Sequence, residues 1–230
     1  MSTIFSNSLF FGIGLTLGAY LLGTVLKRKF KIFIFNPLLV AIVVCIAVLT
    51  LTGIEYKEYN NGAQYISALL TPATVCLAIP LYEQMQLLKK NLTAILVGIA
   101  SGVLTSGIAI FSMALLFSLN HTQYVTLLPK SITTAIGIGL SPELNGYIAI
   151  TVAAIMITGL FGNIAGEALC RIFRIEHPVA KGIAIGTSTH VMGTSKAMEI
   201  GEVEGAMSSL SVAVAGFMTV AAAIVFENLI

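Results

Sequence analysis

The sequence predicts an all-α polytopic membrane protein with about seven transmembrane helices and one re-entrant segment, the count rising to eight if that segment also crosses. Three observations carry this expectation. The 230 residues are 57 % hydrophobic and only 10 % charged, with a mean hydropathy of +0.97 and neither Asp nor Trp. A soluble domain carries about 25 % charged residues, so this chain cannot furnish a water-facing surface. The apolar residues gather into runs near the roughly 20 that a helix needs to cross a bilayer core, and inside lipid such runs are helical because the backbone has no other hydrogen-bond partners. Finally, nine of the twelve basic residues fall in three short connections, the distribution expected of cytoplasmic loops.

Segment 9–26 has no basic residue before it and no small-residue cleavage site after it, and Lys27, Arg28, Lys29 and Lys31 follow. That order is the reverse of a secretory signal peptide, so the segment is a retained first helix with its N-terminus outside. Segment 33–54 returns to the outside, to a connection with a single Lys57. Segment 64–87 carries Thr71-Pro72-Ala73-Thr74 in its middle and Pro80 beyond; proline removes a backbone donor, so a break near the bilayer midplane is expected. Segment 92–117 follows the basic pair Lys89 and Lys90.

Segment 125–140 has 16 residues, among them Pro129, Lys130 and the cluster Ser131-Ile132-Thr133-Thr134. The connection before it and the start of the next helix must both lie outside, so it reads as re-entrant or discontinuous. Segment 146–169 leads inward to Arg171, Arg174 and Lys181. Segment 182–200, with Gly186-Thr187-Ser188-Thr189-His190 and Gly193-Thr194-Ser195-Lys196, is expected to cross as a second broken helix because glycine permits unwinding. It delivers Glu202 and Glu204 to the outside, and segment 206–226 brings the C-terminus inside.

The two broken segments then run in opposite directions. Within one transmembrane domain over 1–230 this gives approximate inverted repeats 33–117 and 146–227, and paired interrupted helices of this kind mark the substrate site of secondary transporters. Cys45, Cys76 and Cys170 lack metal or redox spacing and read as small core residues.

Ionisable residues in apolar segments cost about 2.5–3.5 kcal/mol each on insertion scales and usually face a polar cavity or one another. His190 and Lys196 stand among the hydroxyls of Thr187, Ser188, Thr189, Thr194 and Ser195, with Gly193 between them; a half-helix N-terminus there would attract a carboxylate. The competing reading is a satisfied histidine and a lysine snorkelling to the interface. Lys130 with Ser131, Thr133 and Thr134 forms a second donor cluster, or an N-cap beside an interfacial lysine. Thr71, Pro72 and Thr74 line the cavity through freed backbone groups or only kink the helix. Glu83 and Glu199 are interfacial or proton-coupling, and Glu167 pairs with Arg171 at i, i+4. Gly98, Gly102 and Gly107, like Gly159, Gly162 and Gly166, suit close helix packing. There is no Gly-x-Ser-x-Gly, H-E-x-x-H or Walker loop, so neither an enzyme nor a bound metal or cofactor is expected. A net charge of +2 is too small to imply a nucleic-acid partner.

At Thr71-Pro72-Ala73-Thr74-Val75-Cys76-Leu77-Ala78-Ile79-Pro80-Leu81-Tyr82, at Leu128-Pro129-Lys130-Ser131-Ile132-Thr133-Thr134, and at Gly186-Thr187-Ser188-Thr189-His190-Val191-Met192-Gly193-Thr194, the chain resembles the LrgB/CidB family over nearly its whole length. The resemblance implies a multi-pass protein of the bacterial cytoplasmic membrane, encoded with a small LrgA/CidA-type membrane partner and described as an antiholin-like or holin-associated effector of murein hydrolases and autolysis. Plastid relatives move glycolate and glycerate, bacterial pairs are linked to pyruvate, and the family is grouped with cation/proton antiporter and anion transporter folds. The expectation is therefore a secondary carrier or facilitator of small monocarboxylates, with a homo-oligomer compatible with it; the alternative is a regulator of autolysis without transport of its own. Two positions depart from the family pattern: Ala135 stands where a proline is expected, and Thr189 where a small residue commonly precedes the histidine.

Overall fold

The computed structural model describes residues 9–30, 35–69, 72, 75–76 and 78–230, and all regular structure among them is helical. Among the described residues, four helices are long and apolar enough to cross a membrane: Leu9–Phe30, Met85–Leu116, Ile148–Ile172 and Glu202–Leu229. The chain divides into two compact units, Met1–Cys76 and Leu77–Ile230.

The first unit contains α1 (Leu9–Phe30), α2 (Pro37–Thr52) and α3 (Tyr56–Ala68). Helix α2 starts where Asn36 accepts a hydrogen bond from the Leu38 N–H at 2.9 Å and Pro37 takes the first position, and it stops at Gly53, whose φ of 67° suits glycine. Helices α1 and α3 touch through glycines, since a Cβ at Gly12 or Gly62 would strike the partner backbone, and Thr16 and Tyr59 hydroxyls bond across them at 2.7 Å. The expected break at Thr71–Thr74 lies largely outside the described residues; Pro72 is helical and exposed.

The second unit contains α4 (Ala78–Glu83), α5 (Met85–Leu116), α6 (His121–Leu127), a 3-10 turn (Leu128–Ser131), α7 (Thr134–Glu143), α8 (Ile148–Ile172), α9 (Pro178–Ile200) and α10 (Glu202–Phe226). Lys89 and Lys90 lie inside the first turns of α5 rather than in a loop. Leu, Lys and Gln are good helix formers, so the helix extends through the charges.

Residues 121–143 form a helical hairpin. Both of its arms are tied to the start of α8: the Thr151 hydroxyl donates to the Thr126 carbonyl at 2.8 Å, the Ser141 and Thr151 hydroxyls lie 2.8 Å apart, and the Tyr147 N–H donates to the Thr126 hydroxyl at 2.9 Å. Thr151 and Ser141 are fully buried. The chain therefore goes in through α6 and comes back through α7, turning at Ile132 and Thr133 where the backbone is extended. Segment 125–140 is discontinuous, with its break after Pro129 and Lys130.

Helix α9 is also a hairpin, and here the structure departs from the expected crossing. Its backbone leaves helical geometry at His190, with φ 46° and ψ −147°, and the two arms fold back on each other. Ala197 packs with Ile185 and Cys170, and Lys181 and Ile200 line one small cavity, although nineteen residues of straight helix would separate them by about 28 Å. The start of α10 accordingly lies beside the start of α9: a Cβ at Gly182 would sit 2.5 Å from the Glu204 carbonyl oxygen. Helix α10 then runs away from that end until the Tyr124 hydroxyl reaches the Phe226 carbonyl at 2.9 Å and His121 Nδ1 lies 2.8 Å from the Ile230 oxygen. Glu202 and Glu204 thus share an end with Arg171–Lys181, and the chain terminus lies at the other end, the reverse of the arrangement a crossing at 182–200 requires. The reason is the glycine- and hydroxyl-rich composition of α9, which lets the chain reverse where a uniform apolar helix would continue.

Thr151→Val keeps the shape and removes the bonds to Thr126 and Ser141. A loss of about 0.5–1.5 kcal/mol is expected, given the usual worth of buried hydrogen bonds in membrane proteins, measured as thermal unfolding in detergent against the wild-type chain.

Candidate functional site

Helix α5 presents a stripe without large side chains, Asn91, Gly98, Ser101, Gly102, Thr105 and Ser106, at the i, i+3, i+4 spacing that keeps one face. The first arm of α9 runs alongside with His177, Ile183, Ala184, Thr187 and Ser188. Between them lies a cleft of about 720 Å³. It starts at the end of the unit that carries Lys89, Lys90 and the 171–181 connection. It stops at Lys130 and Ser131, delivered by the turn of the 121–143 hairpin. Ser106 lies ten residues before Leu116, at the far end of α5, and Thr187 nine after Pro178, at the near end of α9, so the cleft stops about 15 Å short of the end of α5 and about 14 Å from the start of α9, each close to half the thickness of a bilayer core.

At that inner end the Lys130 ammonium donates to the Ser131 hydroxyl at 2.9 Å and to the Ser106 hydroxyl at 3.4 Å. No carboxylate pairs with it among the described residues. Thr187 is 7 % exposed, and its Oγ1 is the one buried side-chain oxygen or nitrogen without a hydrogen-bond partner among the described residues. Its methyl group lies on Gly102, where a Cβ would come within 2.6 Å. A cation and an unpartnered hydroxyl at the end of a water-wide cleft suit a small anion with a second polar atom. Behind Ser106, Ser131 and Thr187 a void of about 20 Å³ borders Thr219 and Phe226, and beyond it Tyr124, Leu128, Ile132, Ile110 and Phe226 pack into a hydrophobic cluster that closes the path.

The structure brings together Lys130, Ser131, Thr187 and Ser188. Thr133 caps α7 by position, without a side-chain bond to its backbone, and Thr134 opens that helix, both half-buried. His190, Thr189, Gly193 and Thr194 are placed on the other side of the α9 hairpin. His190 is 4 % exposed, and its Nε2 lies 3.0 Å from the Ile155 carbonyl of α8; a carbonyl only accepts, so Nε2 carries the proton. The ring fits because position 159 is glycine, where a Cβ would sit 2.5 Å from Cε1. Thr189 packs against Gly162 and Gly193 and bonds to the Ile185 carbonyl at 2.7 Å, and Thr194 bonds to the His190 carbonyl and to Ser208 of α10 at 3.1 and 2.8 Å.

Lys196 lies away from the cleft, 3.0 Å from Glu167 and 3.2 Å from Glu199, and Glu167 also meets Arg171 at 3.5 Å. Glu83 ends α4 in an exposed position, in a surface hollow with Lys89 and Lys90. Thr71 and Thr74 lie outside the described residues. Sequence reasoning passed over Asn163, whose Nδ2 donates to the Met192 carbonyl at 2.8 Å just past the reversal; a lone amide in an apolar helix was the available signal, since it needs a partner there. Ser106, similarly unremarkable among the hydroxyls of α5, was also missed.

A family model described as the LrgB-like family matches residues 16–229. The chain is similar to the antiholin-like protein LrgB of Bacillus subtilis (strain 168), with 39 % identity over 222 residues, 96 % of each chain. It is also similar to proteins of the same name from Bacillus cereus (strain B4264) and Bacillus anthracis (strain CDC 684 / NRRL 3495), each with 40 % identity over 212 residues and 92 % of both chains. No solved structure matches the chain.

In a background without the three native cysteines, Ser101→Cys and Ser188→Cys are expected to react readily with a small water-soluble thiol reagent. Thr194→Cys, fully buried between α9 and α10, is expected to react at least ten-fold more slowly, as read from mass shifts over time.

Proposed function

We propose, from the premise that the chain belongs to the LrgB-like family, that it is a carrier or facilitator of small monocarboxylates such as pyruvate, glycolate or glycerate. It would work in the bacterial cytoplasmic membrane beside a small LrgA/CidA-type protein. The observation that supports this reading is Lys130, a cation without a carboxylate partner among the described residues, at the mid-depth end of the cleft and next to the unpartnered Thr187 hydroxyl. The Lys130 ammonium receives the carboxylate, Ser131 and Ser106 orient the ammonium, and Thr187 and Ser188 offer bonds to the remaining polar atoms.

In this reading α5 with hairpin 121–143 and α8 with hairpin 178–200 form the inverted repeat. The two hairpins enter from opposite ends and meet at the site, and this pairing takes the place of 33–117 and 146–227. The end with Lys89, Lys90, Arg171, Arg174 and Lys181 faces the cytoplasm, so the cleft is open inward and the Tyr124–Phe226 cluster is the outer seal. The N-terminus and the C-terminus are then both outside. His190, Thr189, Gly193 and Thr194 serve by shaping the hairpin tip, and Lys196 with Glu199 by fixing its base.

A second reading, a regulator of murein hydrolase activity and autolysis without transport, is favoured by a separate observation: the relatives are named antiholin-like proteins. The two are separated by assay. In proteoliposomes the wild-type chain, alone or with its partner, is expected to exchange labelled pyruvate or glycolate above protein-free vesicles. Lys130→Met is expected to lower exchange at least ten-fold and Thr187→Val about five-fold, whereas Lys196→Met stays within about two-fold. A lysis phenotype that survives Lys130→Met while exchange is absent in the wild type favours the regulator.

A further inference from the structure

We infer that Lys130 is also the proton-coupling group of this site, so that each monocarboxylate moves together with one proton and no net charge. This rests on the carboxylate reading above. The geometry behind it is the isolation of Lys130. Helix α5 carries no ionisable side chain between Lys90 and its end, α8 none before Glu167, and α10 none between Glu204 and Glu227. In α6 and α7, His121 is exposed beside the chain terminus, Tyr124 donates to the Phe226 carbonyl, and Glu143 is exposed at the far end of α7. In α9, His177 and Lys181 belong to the mouth or the basic end, His190 is bonded to the Ile155 carbonyl and does not line the cleft, and Lys196 is held by Glu167 and Glu199.

Among the described residues of the second unit, nothing else at the inner end can therefore balance an ammonium or exchange a proton. An unpaired charge in a closed apolar bundle is costly. While the cleft is open, water there can supply or remove a proton. When the site closes, the low-cost forms are the amine alone and the ammonium paired with a carboxylate. The cycle balances: amine, proton and carboxylate combine on one side into an ion pair, and on the other side the carboxylate leaves, the ammonium returns its proton to water, and the neutral amine resets.

Arginine separates the two roles, because a guanidinium binds a carboxylate but does not release its proton in the physiological range. The chain is reconstituted alone and with its small partner, with labelled pyruvate and a lumenal pH dye, against protein-free vesicles that report passive permeation of the acid. Wild type is expected to exchange pyruvate at symmetric pH, to accumulate it when the lumen is alkaline with one proton entering per pyruvate, and to ignore an imposed potassium diffusion potential. Lys130→Arg is expected to keep exchange within about three-fold and lose at least ten-fold of pH-driven accumulation. Exchange by the wild type that follows the imposed potential without proton entry overturns the coupling role and leaves the carboxylate reading standing, as does Lys130→Arg accumulating like wild type. Absence of exchange in the wild type overturns both. Should Lys130→Arg lose exchange as well, the wild-type proton count and response to potential decide.

Discussion

The bond from the His190 imidazole to the Ile155 carbonyl, 3.0 Å long and buried between α8 and α9, holds the chain reversal on which the arrangement of the second unit depends. A non-glycine residue at φ 46° costs on the order of 1–3 kcal/mol and persists only where its surroundings fix it. Here they do so from several directions. Gly159 leaves room for the ring, Asn163 takes up the Met192 carbonyl just after the reversal, and Thr194 takes up the carbonyl of His190 itself. The reversal puts Thr187 and Ser188 at mid-depth and returns α10 to the end at which α9 began. Without it, α9 would cross and α10 would begin at the opposite end.

The 121–143 hairpin meets the same constraint by a different means. Backbone inside a bundle must be satisfied locally: at the turn the Ile132 N–H bonds to the Pro129 carbonyl, and at the base of the arms the buried hydroxyls of Thr126, Ser141 and Thr151 join the hairpin to the start of α8. Pro129, fully buried, sets the turn just before Lys130. Two reversals built from different residues thus converge from opposite ends on one small volume. The small residues of α5, α7 and α8 follow from this. Gly102 admits the Thr187 methyl group, Gly162 admits Thr189, and Gly137 admits the Ile155 side chain, so the glycines serve the approach of hairpins as much as the packing of long helices.

How much was legible in the sequence depended on whether a signal was local. Proline, lysine and paired threonines within 129–134 are local, and they identified both the break and Lys130. The 182–200 segment was recognised as interrupted for the same reason, through its glycines and hydroxyls. Its direction after the interruption was not legible, because crossing and returning demand the same composition and differ only in which neighbours receive the second arm. The positive-inside pattern could not decide between them either: Glu202 and Glu204 carry no basic residue with them, so they are compatible with either side. His190 and Lys196, six residues apart in one segment, read as a pair in sequence. The reversal between them sends the imidazole to Ile155 and the ammonium to Glu167.

By itself the sequence determined the membrane as solvent, helices as the building element, the breaks within 125–140 and 182–200, and the residue types available to meet an anion. These follow from composition and short-range pattern, which lipid enforces residue by residue. Tertiary structure alone decided that the 182–200 break is a reversal, that Lys130 and Thr187 end one cleft, and that Lys196 is neutralised elsewhere. Each of these depends on which distant helix offers a carbonyl, a carboxylate or a missing Cβ at the point of contact, and no spacing along the chain encodes that.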